Sequence, residues 1–96
     1  VTVVDDNDHV VGIVTAIDIL KTMRKGKTLN TIIAKDIMTF NPYVVIKDTP
    51  INDVIDVMIE KGVVMVPVVG DNTNKTIGVV SRSDIITEWL KERLTP

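Results

Sequence analysis

Two phrases of this sequence place a hydroxyl and a carboxylate three residues apart where a helical pattern begins: Thr15-Ala16-Ile17-Asp18 and Ser81-Arg82-Ser83-Asp84. Each follows a Val- and Ile-rich run containing one glycine, Gly12 in the first copy and Gly78 in the second. Two kinds of chemistry fit that spacing. In a capping box the hydroxyl accepts from the third helical amide, and the acid reaches back to the amide of the capping residue. Such a cap stabilises by about 1 kcal/mol and implies no ligand. The same atoms also suit a nucleotide. Free amides and the positive dipole end of a helix attract phosphate, and a carboxylate one turn in accepts from ribose hydroxyls. Arg82 adds a cation in the second copy, where the first has only Ala16 and Ile17. The phosphate grip should therefore be stronger in the second.

The elements that position these groups can be read from the pattern. Residues 1–4 and 10–14 are β-branched runs around the turn cluster Asp5-Asp6-Asn7-Asp8, and they predict a hairpin. Gly12 marks a bulge or a close backbone approach. Thr15 caps a helix over 16–25 with Ile17, Leu20 and Met23 on its inner side, ended by Gly26. Residues 27–34 form a linker with one apolar turn. Asp36-Ile37-Met38-Thr39 then leads into Asn41-Pro42, a turn signal. A short strand is expected over 43–46. A helix follows to Lys61, with Thr49 as N-cap, Pro50 in its first position and Ile51, Val54, Ile55, Met58 and Ile59 at helical spacing. Gly62 stops it.

Residues 63–69 are wholly apolar, as in a strand buried on both faces. Pro67 lacks a backbone donor, so this strand should lie at an edge or beside an irregular gap. A loop over 70–75 and a strand over 76–80 lead into the helix opened by Ser81. That helix carries Ile85, Ile86, Trp89, Leu90 and Leu94.

The two junctions are one unit written twice. A single constant offset takes Gly12 to Gly78, Thr15 to Ser81 and Asp18 to Asp84. Strand, turn, strand, cap and helix recur in that order, so the unit is duplicated. The second copy has an additional strand and helix over 43–61 ahead of its hairpin. The expected organisation is a back half of one repeat over 1–26, the linker 27–34, and a complete repeat over 35–96.

Composition narrows the function. The chain has 96 residues, 45% of them hydrophobic, with a net charge of −2, one Phe, one Tyr, one Trp and no Cys. Nucleic-acid binding is not expected, since it needs clustered Lys and Arg or several stacking aromatics. Without Cys there is no disulfide framework or thiolate metal site. His9 is the only histidine and reads as a solvated turn residue. The Asp5-Asp6-Asn7-Asp8 run lacks the Gly and Glu spacing of a calcium loop. No metal site is predicted. No run approaches the ~20 apolar residues of a membrane span. An intracellular, reducing, cytoplasmic setting fits. No nucleophile–base pair can be assembled, so an enzyme is not expected.

Gly-hydrophobic-x-Thr/Ser-x-x-Asp after a Val-rich hairpin resembles the signature of the cystathionine-β-synthase (CBS) domain. Asp36-Ile37-Met38-Thr39-x-x-Pro42 is similar to that family's lead-in, and Val66-Pro67-Val68-Val69 to its central strand. The resemblance implies an α/β (α+β) fold of pseudo-two-fold-related repeats, each a small three-stranded sheet packed against two helices. Paired repeats of this family form a module that commonly binds adenosine nucleotides or S-adenosylmethionine in clefts between them. By that resemblance Asp84 would hold a ribose, and Ser81, Arg82 and Ser83 would face phosphates. Thr39, Pro42 and Tyr43 would line the base side with Val64, Met65 and Pro67. Thr15 and Asp18 would do the equivalent work in the first cleft. No cofactor is required on this reading, and the small-molecule nucleotide is the expected ligand. An exposed stripe at Trp89, Ile85, Ile86 and Leu90 would serve a homodimer through helices. The alternative is a ligand-free dimerisation scaffold in which both Ser/Thr-x-x-Asp motifs act only as caps.

Overall fold

Val and Ile dominate the two hairpins, and their stiff β-branched side chains favour extended backbone. The computed structural model describes residues 1–94. Its elements run β1 (Thr2–Val4), β2 (Val10–Ile13), α1 (Ala16–Arg24), a 3-10 turn over Leu29–Thr31, α2 (Ala34–Ile37), β3 (Thr39–Phe40) and β4 (Val45–Ile46). There follow α3 (Ile51–Lys61), β5 (Met65–Val69), β6 (Thr76–Ser81) and α4 (Arg82–Leu94). The strands form two three-stranded sheets, ordered β1-β2-β3 and β4-β5-β6. This is the expected α+β class, with each hairpin feeding a helix. Thr95 and Pro96, the end of the expected 35–96 unit, lie outside the described residues.

The duplication holds to the residue. In the first hairpin the register passes from Val3↔Gly12 to Val4↔Val10, leaving Val11 unpaired in a bulge. In the second it passes from Val68↔Gly78 to Val69↔Thr76, leaving Ile77, the residue that the offset makes equivalent to Val11. Gly12 beside the first bulge is also a close approach. A Cβ there would lie 2.8 Å from Met38 Cγ and 3.0 Å from the Thr39 carbonyl oxygen.

That contact exists because the lead-in crosses over. β3 belongs to the segment expected as the second repeat, yet it pairs with β2 of the first through Gly12↔Phe40 and Ile13↔Thr39. The hairpin loops also interlock. The Val10 amide donates to the Asn74 carbonyl (2.9 Å), Asn74 Nδ2 donates to the Val10 carbonyl (2.8 Å), and the Thr76 amide donates to the Asp8 carbonyl (3.0 Å). His9 pairs with Lys75 in the same seam.

Pro67 lies in the central strand β5, and its position follows from the hydrogen-bond alternation. The Arg82 amide donates to the Val64 carbonyl at 3.0 Å. In an antiparallel pair this makes Val64, Val66 and Val68 the residues that exchange bonds with β6, and turns the Pro67 nitrogen away from it. On that other side β4 reaches only Val68 and Val69. Pro67 is thus at the irregular gap, not at an edge.

Element bounds shift slightly from expectation. β5 begins at Met65, not Val63, and β4 covers only Val45–Ile46. Pro50, not Thr49, is the N-cap residue of α3. The Thr49 hydroxyl instead accepts from the Ile46 amide at 3.2 Å. Gly26 (φ 81°) and Gly62 (φ 64°) take the left-handed conformation that ends α1 and α3.

The core gathers Val45, Val54, Met58 and Val66, with Val57, Val63, Val68, Val80 and Ile85 packed on it. The expected inner side of α1 is not buried. Ile17, Leu20 and Met23 are all more than half exposed, and Thr22 is the buried residue, donating to the Asp18 carbonyl at 2.9 Å. Ile51 and Ile59 of α3 and Ile86, Trp89 and Leu94 of α4 are likewise exposed. The reason is that no other element of the described residues covers those faces. The accessible surface is 7067 Å², against roughly 5,500 Å² for a compact chain of this mass. The radius of gyration is 15.2 Å, against about 12.5 Å.

The crowding at Gly12 and its absence at Gly78, which has no atom within 4 Å of a built Cβ, predict unequal effects. Gly12→Ala should cost about 1–3 kcal/mol by overpacking against Met38 and Thr39. Gly78→Ala in this chain should change stability by less than about 0.5 kcal/mol. Urea unfolding of the two variants checks both.

Candidate functional site

A hydroxyl at the end of a strand and an acid one turn into the next helix have to satisfy amides that the helix leaves open. At the second junction they do so reciprocally. The Ser81 amide donates to Asp84 Oδ2 (2.9 Å), and the Asp84 amide donates to Ser81 Oγ (3.1 Å). At the first junction the carboxylate half is the same, with the Thr15 amide on Asp18 Oδ2 at 2.8 Å. The hydroxyl half differs, because Thr15 Oγ1 donates to that same carboxylate (3.1 Å) and the Asp18 amide bonds the Thr15 carbonyl (3.1 Å). One junction is a full capping box, and the other binds its acid twice.

Electrostatics follow from these bonds. The Ser81 backbone amide, then its side chain, hold the Asp84 carboxyl below the usual carboxylate value of 3.8. Asp84 is exposed and ionised at neutral pH, an acceptor-only group on the surface. Ser81 is partly buried, and Arg82 and Ser83 are exposed beside it at the start of α4. Asp5 is lowered in the same way, first by the His9 amide, then by the Asn7 amide and the His9 ring. Its carboxylate is spent on the turn, accepting from the Asn7 (2.8 Å) and His9 (3.0 Å) amides with His9 Nδ1 at 3.3 Å. His9 thus has a partner in the turn where the sequence suggested only solvent. Among the described residues no group of three or more His, Cys, Asp or Glu side chains is placed to hold a metal ion. No described helix is long and apolar enough to cross a membrane.

Strand pairing sorts the residues expected in the site into two groups. Met65↔Ser81 and the Arg82–Val64 bond clasp Val64 and Met65 to Ser81, Arg82, Ser83 and Asp84. Pro67 lies behind them, fully buried. Thr39, expected on the base side with that group, pairs with Ile13 at the end of β2 and so stands beside the strand that leads to Thr15, on the other junction. The groups meet at the start of β1. The Val14 amide donates to the Val1 carbonyl at 2.8 Å, and the Val1 nitrogen lies 3.9 Å from Met65 Sδ. The two junctions are therefore linked in space through Val1 and Met65. Tyr43 sits apart, with the Lys61 ammonium 5.3 Å from its ring centroid at the end of α3. Pro42 is partly buried in the turn between β3 and β4.

The crossing of Thr39 carried no local signal, since nothing in Asp36-Ile37-Met38-Thr39 names its partner strand. Two apolar cavities, of about 270 and 370 Å³, lie between α3 and α4 and reach Arg82 and Asp84 from the helix side.

A sheet-and-helix duplication with this junction defines the CBS domain family, to which the chain belongs: the family model matches residues 1–25 and 34–91. Among individual proteins it is 36% identical over 87 residues to the uncharacterised protein MK0525 of Methanopyrus kandleri, covering 90% of this chain and 44% of that one. It is 31% identical over 82 residues to the uncharacterised protein MJ1232 of Methanocaldococcus jannaschii, covering 84% and 26%. The chain thus spans less than half the length of these relatives.

Among solved structures it resembles the CBS domain pair of protein MJ0100 in complex with 5′-methylthioadenosine and S-adenosylmethionine. That match has a TM-score of 0.82 and 29% identity, over 96% of this chain and 70% of that one. It also resembles CBSX2 in complex with AMP, with a TM-score of 0.78 and 29% identity, over 97% and 72%.

Because the Asp84 carboxyl is lowered in the folded state, its contribution to stability is present above its unfolded value and is lost as pH falls through the lower folded one. The stability difference between the native chain and Asp84→Asn should therefore be largest at pH 7 and shrink below about pH 4. Urea unfolding across that range checks it, and a difference that grew on acidification would contradict this account.

Proposed function

We propose that the chain is part of a regulatory module that binds an adenosine-containing ligand, AMP, ADP, ATP or S-adenosylmethionine, between its repeats. The observation that carries this reading is the linkage of the two Ser/Thr-x-x-Asp junctions through Val1 and Met65. The adenosine ligands held by the similar CBS pairs support it. In this reading Asp84 accepts from the ribose hydroxyls, and Ser81, Arg82 and Ser83 meet the phosphates at the start of α4. Val64 and Met65 form an apolar wall for the base, with Pro67 beneath them. On the other junction Thr15 and Asp18 act with Thr39, and Pro42 and Tyr43 follow on the same lead-in. The module is not catalytic. Its output is differential affinity: a ligand that prefers one relative orientation of the repeats biases an attached domain or partner.

The exposed stripes favour a homodimer through helices as part of the same proposal. Leu20 and Met23 of α1 occupy the positions that Ile86 and Trp89 occupy in α4, and all four are more than half exposed. The surface in excess of a compact chain is of the size that one partner contributes to a stable interface, about 800 Å² or more. Light scattering should give a dimer, and Ile86→Glu with Trp89→Glu should return the monomer.

Calorimetric titration of the complete repeat pair with the four ligands tests the binding reading. At least one should bind, and Asp84→Ala should weaken it by roughly tenfold or more, about 1.4 kcal/mol. Silence with all four would favour a ligand-free scaffold built on the same helices.

A further inference from the structure

Charge is divided unevenly between the helices. Residues 16–27, α1 with the turn after it, carry Lys21, Arg24, Lys25 and Lys27 against one acid, Asp18, whose carboxylate already serves Thr15. Helix α3 carries Asp53, Asp56 and Glu60 against one lysine, Lys61, which lies over the Tyr43 ring. No ion pair among the described residues engages Lys21, Arg24, Asp56 or Glu60, and all four are exposed. They flank apolar residues that are also uncovered. Ile17, Leu20 and Arg24 fall on one stripe of α1, with Lys21 beside it. Ile55 and Ile59 stand one turn apart on α3, with Asp56 and Glu60 one turn apart beside them. Leu20 is 57% exposed and Ile59 74%. Between Ile55, Met58 and Ile59 of α3 and Ile85 and Ile86 of α4 lies an open cavity of about 270 Å³. It exceeds the roughly 150 Å³ that takes a benzene ring, so an aliphatic side chain fits it.

We propose that α1 of one copy docks on the α3–α4 groove of a second copy, and α1 of the second on the groove of the first. The proposal rests on the homodimer reading above and adds which surfaces meet. Ile17 and Leu20 supply the side chains that enter the groove beside Ile59 and Ile86, while Lys21 and Arg24 meet Asp56 and Glu60 along its rim. Like-with-like docking is disfavoured on both helices. Setting α1 against α1 opposes Lys21 and Arg24 to their own copies, and setting α3 against α3 does the same to Asp56 and Glu60. The crosswise arrangement repeats one contact twice about a two-fold axis, and so closes at two chains. Exposed ion pairs add little affinity. Apolar burial therefore holds the pair together, and the charges select which helix each groove accepts.

Charge reversal in the chain, read by sedimentation equilibrium without ligand, tests the proposal. Lys21→Glu with Arg24→Glu should raise the dimer dissociation constant roughly tenfold or more. Adding Asp56→Lys and Glu60→Lys to the same chain should return it to within about threefold of the starting value. Because the sequence has no Cys, Leu20→Cys and Ile59→Cys can also be made singly and treated with a short bis-maleimide. A mixture of the two should give cross-linked dimers, and neither variant alone should. A dimer indifferent to the first reversal, or not rescued by the second, would overturn the crosswise contact and leave the homodimer standing. Cross-linking within either variant alone would do the same. A starting chain that stays monomeric would overturn the homodimer reading, and the crosswise contact with it.

Discussion

Each half of this molecule depends on a carboxylate that reaches back one helical turn to hold the amide of the residue just ahead of a helix. Asp18 does this for Thr15 and Asp84 for Ser81. The bond ties the end of each hairpin to the first turn of its helix, across Val14 and Thr15 at the first junction and with no intervening residue at the second. At the second junction Ile85 follows directly and packs on the Val45–Val66 core. Without the acid, one amide at the junction would be left to water, and the first turn of the helix would lose its anchor. The two junctions do not use the device identically. Ser81 both gives and receives, whereas Thr15 gives twice to its acid.

This device was legible in the sequence because it is local. A hydroxyl, two intervening residues and an acid say where a helix starts, and the recurrence of that phrase at a constant offset says that the unit is repeated. The stop at Gly62 and the irregular surroundings of Pro67 were legible for the same reason: φ > 0 and a missing donor are properties of single residues. The crossing of Thr39–Phe40 to β2 was not legible, because strand pairing is a long-range choice that two residues of β-propensity cannot specify. Nor was the interlock of Asn74 with Val10, a side-chain bond between two loops. Helical periodicity at Ile17, Leu20 and Met23 correctly marked an apolar stripe. Periodicity reports that a face is apolar, not whether a neighbour within the same chain covers it.

Exposure is therefore informative here. A chain of this length has a thin core under any arrangement, and this one leaves apolar residues uncovered on α1, α3, α4 and β6. They lie in two different settings. The helical stripes at Leu20–Met23 and Ile86–Trp89 are equivalent under the repeat and equally exposed. The β6 edge is exposed where its equivalent β2 is covered by β3. Pairing by β3, not composition, accounts for the second difference, since both strands are Val- and Ile-rich around one glycine.

The interlocked loops bear on how a bound ligand would act under the proposed reading. The seam through Asp8, Val10, Asn74 and Thr76 joins the two hairpins at their turn ends. The junctions lie near the opposite strand ends, where Val14 meets Val1 and Met65 meets Ser81. A ligand gripping both junctions would load the hairpins at the ends remote from the seam. Relative rotation of the repeats would then pivot about the loops. The seam's three hydrogen bonds anchor the turn ends, so under the proposed reading binding at the junctions would act at the ends remote from that anchor.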